Sequence, residues 1–303
     1  MRFTTLLAFG FLLGSISAAG EPLRVVTTIP DLADITSVIG GDRVEVRSLA
    51  KGTENIHSVP LKPSALVAMN KADVLVQIGL SLEHAYVPGL LENARNKSIL
   101  PGAPGSIVAS EGWEPIQVPD TVSRGLAADV HPMGNPHLNL SARGGRFMAD
   151  RILEGLLRVD PPGEAGYRER HAAYVAVLEE KQAEWAELVE VVKGKTAVAY
   201  HANFSYLAEE LGLEVIELLE PKPGVTPTPR HIAHVAERMR ETGTQVILTA
   251  RWSNNKSVRF LAEKTGATVL ELPEMVQLEH EPDTWVEMMD MLHQRLHEAF
   301  ADR

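Results

Sequence analysis

Residues 164–192 read EAGYRERHAAYVAVLEEKQAEWAELVEVV, and this stretch decides how the chain is organised. It is rich in Ala, Leu and Glu, which favour helix, and after Gly166 it contains neither Gly nor Pro. The preceding segment 160–163, Asp-Pro-Pro-Gly, ends the helix before it. About 28 residues in one helix span roughly 42 Å. We interpret the helix as a rigid connector between two α/β lobes; the alternative is one more packing helix on a single large domain.

Short apolar runs alternate with helical patterns on both sides of this connector. Helix boundaries carry their usual signals, such as Gly40 and Gly41 at one end and Thr228 followed by Pro229 at one start. Such alternation predicts parallel sheets with helices on both faces. The predicted strands are 23–28, 44–49, 73–78, 195–200, 214–219, 245–250 and 267–272. The predicted division is a lobe at 20–163, a connecting helix at 164–192 and a lobe at 193–303.

Composition narrows the class of protein. The chain has 303 residues, of which 45% are hydrophobic and 23% charged, as is usual for a globular protein. The net charge is -11, which argues against nucleic acids and anionic membrane surfaces as partners, because both require clustered Lys and Arg.

The first residues have the pattern of a signal peptide, predicted at 1–19. Arg2 is followed by an apolar run that is too short to span a membrane, and Ser17 and Ala19 suit a cleavage site. The chain has no Cys, so we expect a periplasmic protein without a lipid anchor. Thiolate ligands are excluded, and a metal would be held by His, Asp or Glu.

Three of the eleven histidines share one topological setting. His201 directly follows a predicted buried strand, at the end where open α/β sheets bind ligands. His57 and His137 lie in loops just before predicted helices in the first half. If both lobes present these loops to one cleft, the imidazoles converge on a transition-metal ion. A loop histidine taken alone is more often a solvated or hydrogen-bonding residue, and the spacing does not establish convergence.

The other histidines give weaker signals. His131 lies six residues before His137 and is a candidate for a neighbouring or delivery group. His293 and His297 are four apart on the last helix, a spacing that can bind metal by accident. His231 and His234 suit a surface pair.

At these histidines the sequence resembles the metal-binding solute-binding proteins of ABC transporters, in the zinc and manganese group that includes the ZnuA and TroA types. The resemblance covers nearly all of the mature chain and rests on the order and placement of several motifs. They are His57 with KPS at 62–64, GNPH at 134–137, YHANFSYL at 200–207, EPKPG at 220–224 and the long helix. The resemblance implies two Rossmann-like lobes with parallel sheets, joined by one long rigid helix, with one metal in the interlobe cleft.

Carried over by position, the resemblance implies His57 and His137 as ligands from the first lobe and His201 from the second. The family often adds an acidic ligand after the last strand, where this chain has Glu274 and no Asp. Glu274 is therefore the expected fourth ligand, Glu220 its rival, and water a further possibility. Three His and one carboxylate suit Zn²⁺ better than Mn²⁺, which prefers more oxygen ligands.

The resulting hypothesis is capture and delivery of an ion, not catalysis. The expected partner is the membrane permease of an ABC importer, with a periplasmic metallochaperone considered as another, and we expect a monomer. Affinity should fall as the pH drops below about 6.5, because imidazole must be neutral to bind. The alternatives are a secreted zinc-dependent hydrolase, which needs a water-accessible metal, and a solute-binding protein for an organic ligand. A secondary adhesin role stays open.

Overall fold

The computed structural model describes residues 21–60, 62–119, 131–222, 224–253, 255–277 and 280–301. The predicted signal peptide lies outside the described residues, as do residues 120–130. No helix within the described ranges is long and apolar enough to cross a membrane.

The first half of the chain forms a four-stranded parallel sheet in the order β2-β1-β3-β4. Its strands are β1 (Leu23–Thr27), β2 (Val44–Ser48), β3 (Val74–Gln77) and β4 (Ser106–Val108). Its helices are α1 (Pro30–Gly40), α2 (Pro63–Lys71), α3 (Val87–Ala94) and α4 (Ala142–Val159). Strand β4 was not predicted, because three residues are too few to show a period.

The second half repeats this plan after the long helix α5 (Glu164–Val189). Its sheet is also parallel, in the order β6-β5-β7-β8. The strands are β5 (Thr196–Ala199), β6 (Glu214–Leu218), β7 (Val246–Ala250) and β8 (Thr268–Leu272). The helices are α6 (Ser205–Leu211), α7 (Pro229–Thr242), α8 (Asn255–Thr265) and α9 (Trp285–Ala301). Two parallel-sheet α/β lobes are therefore confirmed as the fold class.

Local sequence signals explain where these elements begin and end. The Thr228 hydroxyl accepts a hydrogen bond from His231 N–H at 3.2 Å, and Pro229 opens α7, as the sequence predicts. Gly212 ends α6 with a left-handed conformation at φ 64°, which a residue with a Cβ rarely adopts. The strands β3 and β7 are almost entirely buried, which agrees with their mostly apolar sequences.

Helix α5 is three residues shorter at its C-terminal end than predicted. Its buried side chains include Tyr167, Tyr174 and Leu178, and the helix packs on α1 and α4 of the first lobe. Further along, Trp185 stacks on His293 of α9 with ring centroids 4.7 Å apart. The long helix therefore contacts elements from both halves of the chain.

After β8 the chain contacts the first lobe again through the described residues 273–277 and 280–285, which we call the return segment. Val276 N–H donates to Asp31 of α1 at 3.2 Å. Trp285 is fully buried; its backbone N–H donates to Asp34 at 2.7 Å and its indole N–H to the Asn139 carbonyl at 2.8 Å. The domain boundaries at residues 163 and 192 stay a prediction, since the segment after β8 contacts the first lobe although it lies in the second half of the chain.

Candidate metal centre

The three histidines that the sequence singled out lie together at one end of the two sheets. His57 is in the loop between β2 and α2, His137 precedes the 3₁₀ turn Leu138–Leu140 ahead of α4, and His201 directly follows β5. Each ring offers one nitrogen, and these three nitrogens all lie within 4.8 Å of one another. The side chains are 1%, 1% and 4% exposed. The structure thus places three shielded donors around one small space.

Each first-lobe histidine is held by an asparagine two residues before it. Asn55 Oδ1 accepts a hydrogen bond from His57 N–H, and Asn135 Oδ1 accepts one from His137 N–H, both at 2.9 Å. This is the local turn that Asn side chains favour. The Asn135 amide also donates to the Ala202 carbonyl at 2.7 Å, which joins the first-lobe turn to the residue after His201.

The spacing of the imidazoles suits one shared ion. The ring centroids of His57, His137 and His201 lie 5.1, 5.2 and 5.4 Å apart. Imidazoles bound to one tetrahedral ion at about 2.1 Å place their centroids roughly 5 Å apart. No ring nitrogen of His57 or His137 has a hydrogen-bond partner among the described residues. Unpartnered buried nitrogens are costly unless a ligand engages them.

Burial also sets the charge of these rings. It lowers the pKa of His57 and of His137 well below the ordinary value of 6.5, and the neighbouring histidines lower both further. Both imidazoles are therefore neutral at physiological pH, which is the form that binds a metal.

Glu220 orients the ligand from the second lobe. Its Oε2 lies 2.6 Å from His201 Nδ1, and its Oε1 accepts the Gly224 N–H at 2.9 Å. A carboxylate on Nδ1 favours the tautomer with the proton there and leaves Nε2 free for a metal. Both oxygens of Glu220, the rival fourth ligand, are thus engaged by the protein.

Glu274 lies beside this centre at the start of the return segment and is 4% exposed. Its Oε2 accepts the indole N–H of Trp252, while Oε1 has no partner among the described residues. Burial raises the pKa of its carboxyl above the ordinary value. The compact donor group found in the described part of the chain consists of the three histidines, without Glu274.

Two residues near the centre were missed by the sequence interpretation. Trp252 follows β7, and its ring lies 5.8 Å from that of His201 and 6.4 Å from that of His57. His84 lies after β3, with its ring 6.4 Å from that of His131. Both follow the carboxyl end of a parallel strand, and this rule could have found them. His293 and His297, in contrast, bond to backbone carbonyls of Met289 and Leu188.

Comparison with known proteins decides the family. A family model described as zinc-uptake complex component A, periplasmic, matches residues 25–299. The chain belongs to this family of metal-binding substrate-binding proteins of ABC transporters.

The relatives of this ZnuA-family chain carry names with different metals. The iron-binding protein YfeA of Yersinia pestis is 24% identical over 272 residues, covering 87% of this chain and 83% of that protein. The manganese ABC transporter substrate-binding lipoprotein PsaA of Streptococcus pneumoniae is 27% identical over 236 residues, covering 75% and 72%.

Solved structures agree on the fold. The crystal structure of ZnuA matches with a TM-score of 0.76 at 22% identity, covering 92% of this chain and 99% of that one. A manganese-bound periplasmic metal-binding protein from Candidatus Liberibacter asiaticus matches with a TM-score of 0.75 at 21% identity, covering 91% and 98%. Family membership also answers one alternative: these proteins are solute-binding components of transporters and not enzymes, so the hydrolase hypothesis is dropped.

Proposed function

We propose that this ZnuA-family protein binds Zn²⁺ with high affinity in the periplasm and delivers it to the permease of an ABC importer. The observation that carries this proposal is the group of three buried imidazoles, with candidate donor atoms within 4.8 Å of one another. Burial lowers the pKa of His57 and of His137, which keeps these two rings in the neutral form that binds a metal. His57, His137 and His201 are the proposed ligands, and the ion is cargo that the protein binds and releases unchanged.

The donor set supports zinc over manganese. Imidazole nitrogen suits Zn²⁺, Cu²⁺, Ni²⁺ and Co²⁺, whereas Mn²⁺ prefers sites richer in carboxylate oxygen. At a nitrogen-rich site the usual order of stability also favours Zn²⁺ over Mn²⁺ and Fe²⁺. The relatives named for manganese and iron make the metal a question for experiment, and the ligand set is the reason for our choice.

Glu274 is our proposed fourth ligand. Its Oε1 is buried without a hydrogen-bond partner among the described residues, while both oxygens of Glu220 already have partners. A carboxylate near His201 would also neutralise part of the charge that the ion brings into this buried space. Glu274→Gln should therefore lower zinc affinity, and an unchanged affinity would favour water in the fourth position.

The space around the centre argues against an organic ligand. The three candidate donor nitrogens lie within 4.8 Å of one another, so no space of about 300–1,000 Å³, the usual size of a site for a small organic molecule, opens between them. The gap between the three imidazoles has the size of an ion.

Localisation and partners follow from the same proposal. Delivery to a permease requires a protein outside the cytoplasm, and residues 1–19 have the pattern of an export signal. We propose a free periplasmic form and a monomer, which suit a freely diffusing carrier. A metallochaperone remains a proposed further partner.

The test is metal stoichiometry in competition. Chelator-stripped mature protein receives equimolar Zn²⁺, Mn²⁺ and Fe²⁺, is desalted, and its metal is measured by plasma mass spectrometry. We expect one retained zinc per chain, and retention of manganese or iron instead would refute the choice of zinc.

Variants of the ligands complete the test. His201→Ala should lower zinc affinity by at least about tenfold without unfolding the protein, since it removes one of few ligands. His234→Ala is the matched control, because this exposed histidine on α7 pairs with Glu217 on the outside of the second lobe. Equal affinity of the His201 variant and the control would remove the site assignment.

A further inference from the structure

A fourth histidine stands directly beside the three proposed ligands. The ring centroid of His131 lies 5.0 Å from that of His57 and 6.1 Å from that of His137. Both of its ring nitrogens are buried, and the Ser81 backbone engages at most one of them, which leaves the other for a ligand. A buried imidazole nitrogen without a partner is unfavourable unless something binds it.

A fifth histidine extends this row to the surface. His84 is exposed, and its ring lies 6.4 Å from that of His131. Its Nδ1 lies 2.8 Å from the Ser81 carbonyl oxygen, so Nδ1 carries the proton and Nε2 keeps its lone pair. Exposure thus decreases along the row, from exposed His84 through partly buried His131 to buried His57.

Two imidazoles bound to one ion at about 2.1 Å have centroids at most roughly 6.5 Å apart, in linear ligation. The separation of His84 and His131 is just inside this limit, and a rotation of the exposed His84 side chain brings the rings closer. The ligands of the inner centre are at most 4% exposed, so an ion from solvent must pass neighbouring side chains to reach them.

We propose that His84 and His131 form an outer metal-binding position through which the ion enters and leaves the three-histidine centre. This inference rests on the proposed function, because it describes how the cargo reaches the same centre. The outer position replaces part of the hydration shell of the ion before the inner ligands complete the exchange. It serves entry and exit alike, since both directions follow one path.

The test is the kinetics of zinc exchange in the full mature chain. Zinc association is followed by stopped-flow with a fluorescent chelator as competitor, and dissociation by transfer to excess chelator. The variants are His84→Ala and His131→Ala, with His234→Ala as the exposed control. We expect both rate constants to fall on the order of tenfold in the two variants, a change within the range that single variants usually show. The dissociation constant should stay within about twofold of the wild-type value, because a shared path changes both rates equally.

Two results would overturn the proposal. Wild-type rates in both variants would show that the row of histidines carries no ion. Faster dissociation with unchanged association in His131→Ala would make His131 a permanent ligand of the inner centre. His84 is exposed, so His84→Ala should fold normally, and its rates remain informative even if His131→Ala misfolds.

A second measurement separates this inference from the proposed function. In a chain with His57, His137 and His201 all replaced by Ala, zinc titration should show one weak site that His131→Ala abolishes. Absence of that weak site contradicts the outer position. If the wild-type chain binds no zinc at all, the proposed function fails, whereas normal zinc binding with unaltered exchange rates refutes the outer position alone.

Discussion

Replacing Glu220 by Gln tests whether the Glu220 carboxylate sets the tautomer of His201, the proposed metal ligand of the second lobe. In the wild-type chain the carboxylate lies 2.6 Å from His201 Nδ1, and the two side chains are 6% and 4% exposed. The Gln carbonyl can still accept the Gly224 N–H, but its amide then points a donor at Nδ1. His201 must accept with Nδ1, and its proton moves to Nε2, the atom that should bind the metal.

Carboxylate partners of metal-bound histidines typically contribute about 10–100-fold to metal affinity. This range corresponds to about 1.4–2.7 kcal/mol of binding free energy. We expect Glu220→Gln to weaken zinc binding by such a factor, measured by competition with a chelator of known affinity. Glu217→Gln is the matched control, since Glu217 faces His234 on the outside of the second lobe.

Two outcomes would refute this reasoning. Zinc affinity within about twofold of wild type would mean that the carboxylate does not control the His201 tautomer, because that partner should contribute at least about tenfold. A loss well above about 100-fold, beyond what a carboxylate partner of a ligand contributes, would mean that Glu220 binds the ion itself and is the fourth ligand. Circular dichroism of the metal-free variant checks that the fold is retained.

Three further predictions concern pH and packing. Because burial lowers the pKa of His57 and of His137, zinc affinity should fall on acidification only below the ordinary histidine pKa near 6.5. Competition titrations with a chelator from pH 7.5 to 5 check this, and a fall centred at pH 6.5 would contradict it. Burial raises the pKa of Asp31 to about 7, so the folded chain retains a proton that the unfolded chain releases near pH 4. Stability of Asp31→Asn relative to wild type should therefore rise between pH 4 and 7 in urea denaturation of the metal-free protein, and a constant difference would exclude this titration. Gly145→Ala places a Cβ 2.2 Å from the indole ring of Trp285 and should lower the free energy of unfolding by about 1–3 kcal/mol. Gly89→Ala is the control, because the space around Gly89 is open and the change should cost little. Equal free energies of unfolding for the two variants would refute the packing argument.

Much of the fold could be predicted because apolar residues repeat with different periods in strands and in helices. The run 245–250 is mostly apolar and contains β7, and Thr228 with Pro229 marked the start of α7. Strand β4 was not predicted, because its three residues are too few to show the alternation of apolar and polar residues that marks a strand. The return segment has no local signal at all, because its contacts with Asp31 and Asn139 are between residues far apart in sequence.

The candidate site was only partly predictable for a related reason. Position after a buried strand singled out His201, and position in loops just before helices singled out His57 and His137. The structure places the three together. The bond between Glu220 and His201 depends on neighbouring strands β5 and β6, and sequence alone offered Glu220 only as a rival ligand. The row from His84 to His57 depends on contacts of His131 with residues far away in sequence, which no spacing rule indicates.

The return segment has a consequence for how the protein can move. The chain passes between the halves twice, along α5 and again through the return segment, and the second passage is pinned by Trp285 inside the first lobe. Closure about a single hinge requires every connection between the two lobes to bend at the hinge axis. The connection at Trp285 is held in place because its indole is buried in the first lobe. We therefore expect no clamshell closure: empty and loaded protein should have the same radius of gyration by X-ray scattering, with movement confined to side chains and loops at the ion. The transporter must then obtain the ion through a local movement of those loops, without separating the two lobes.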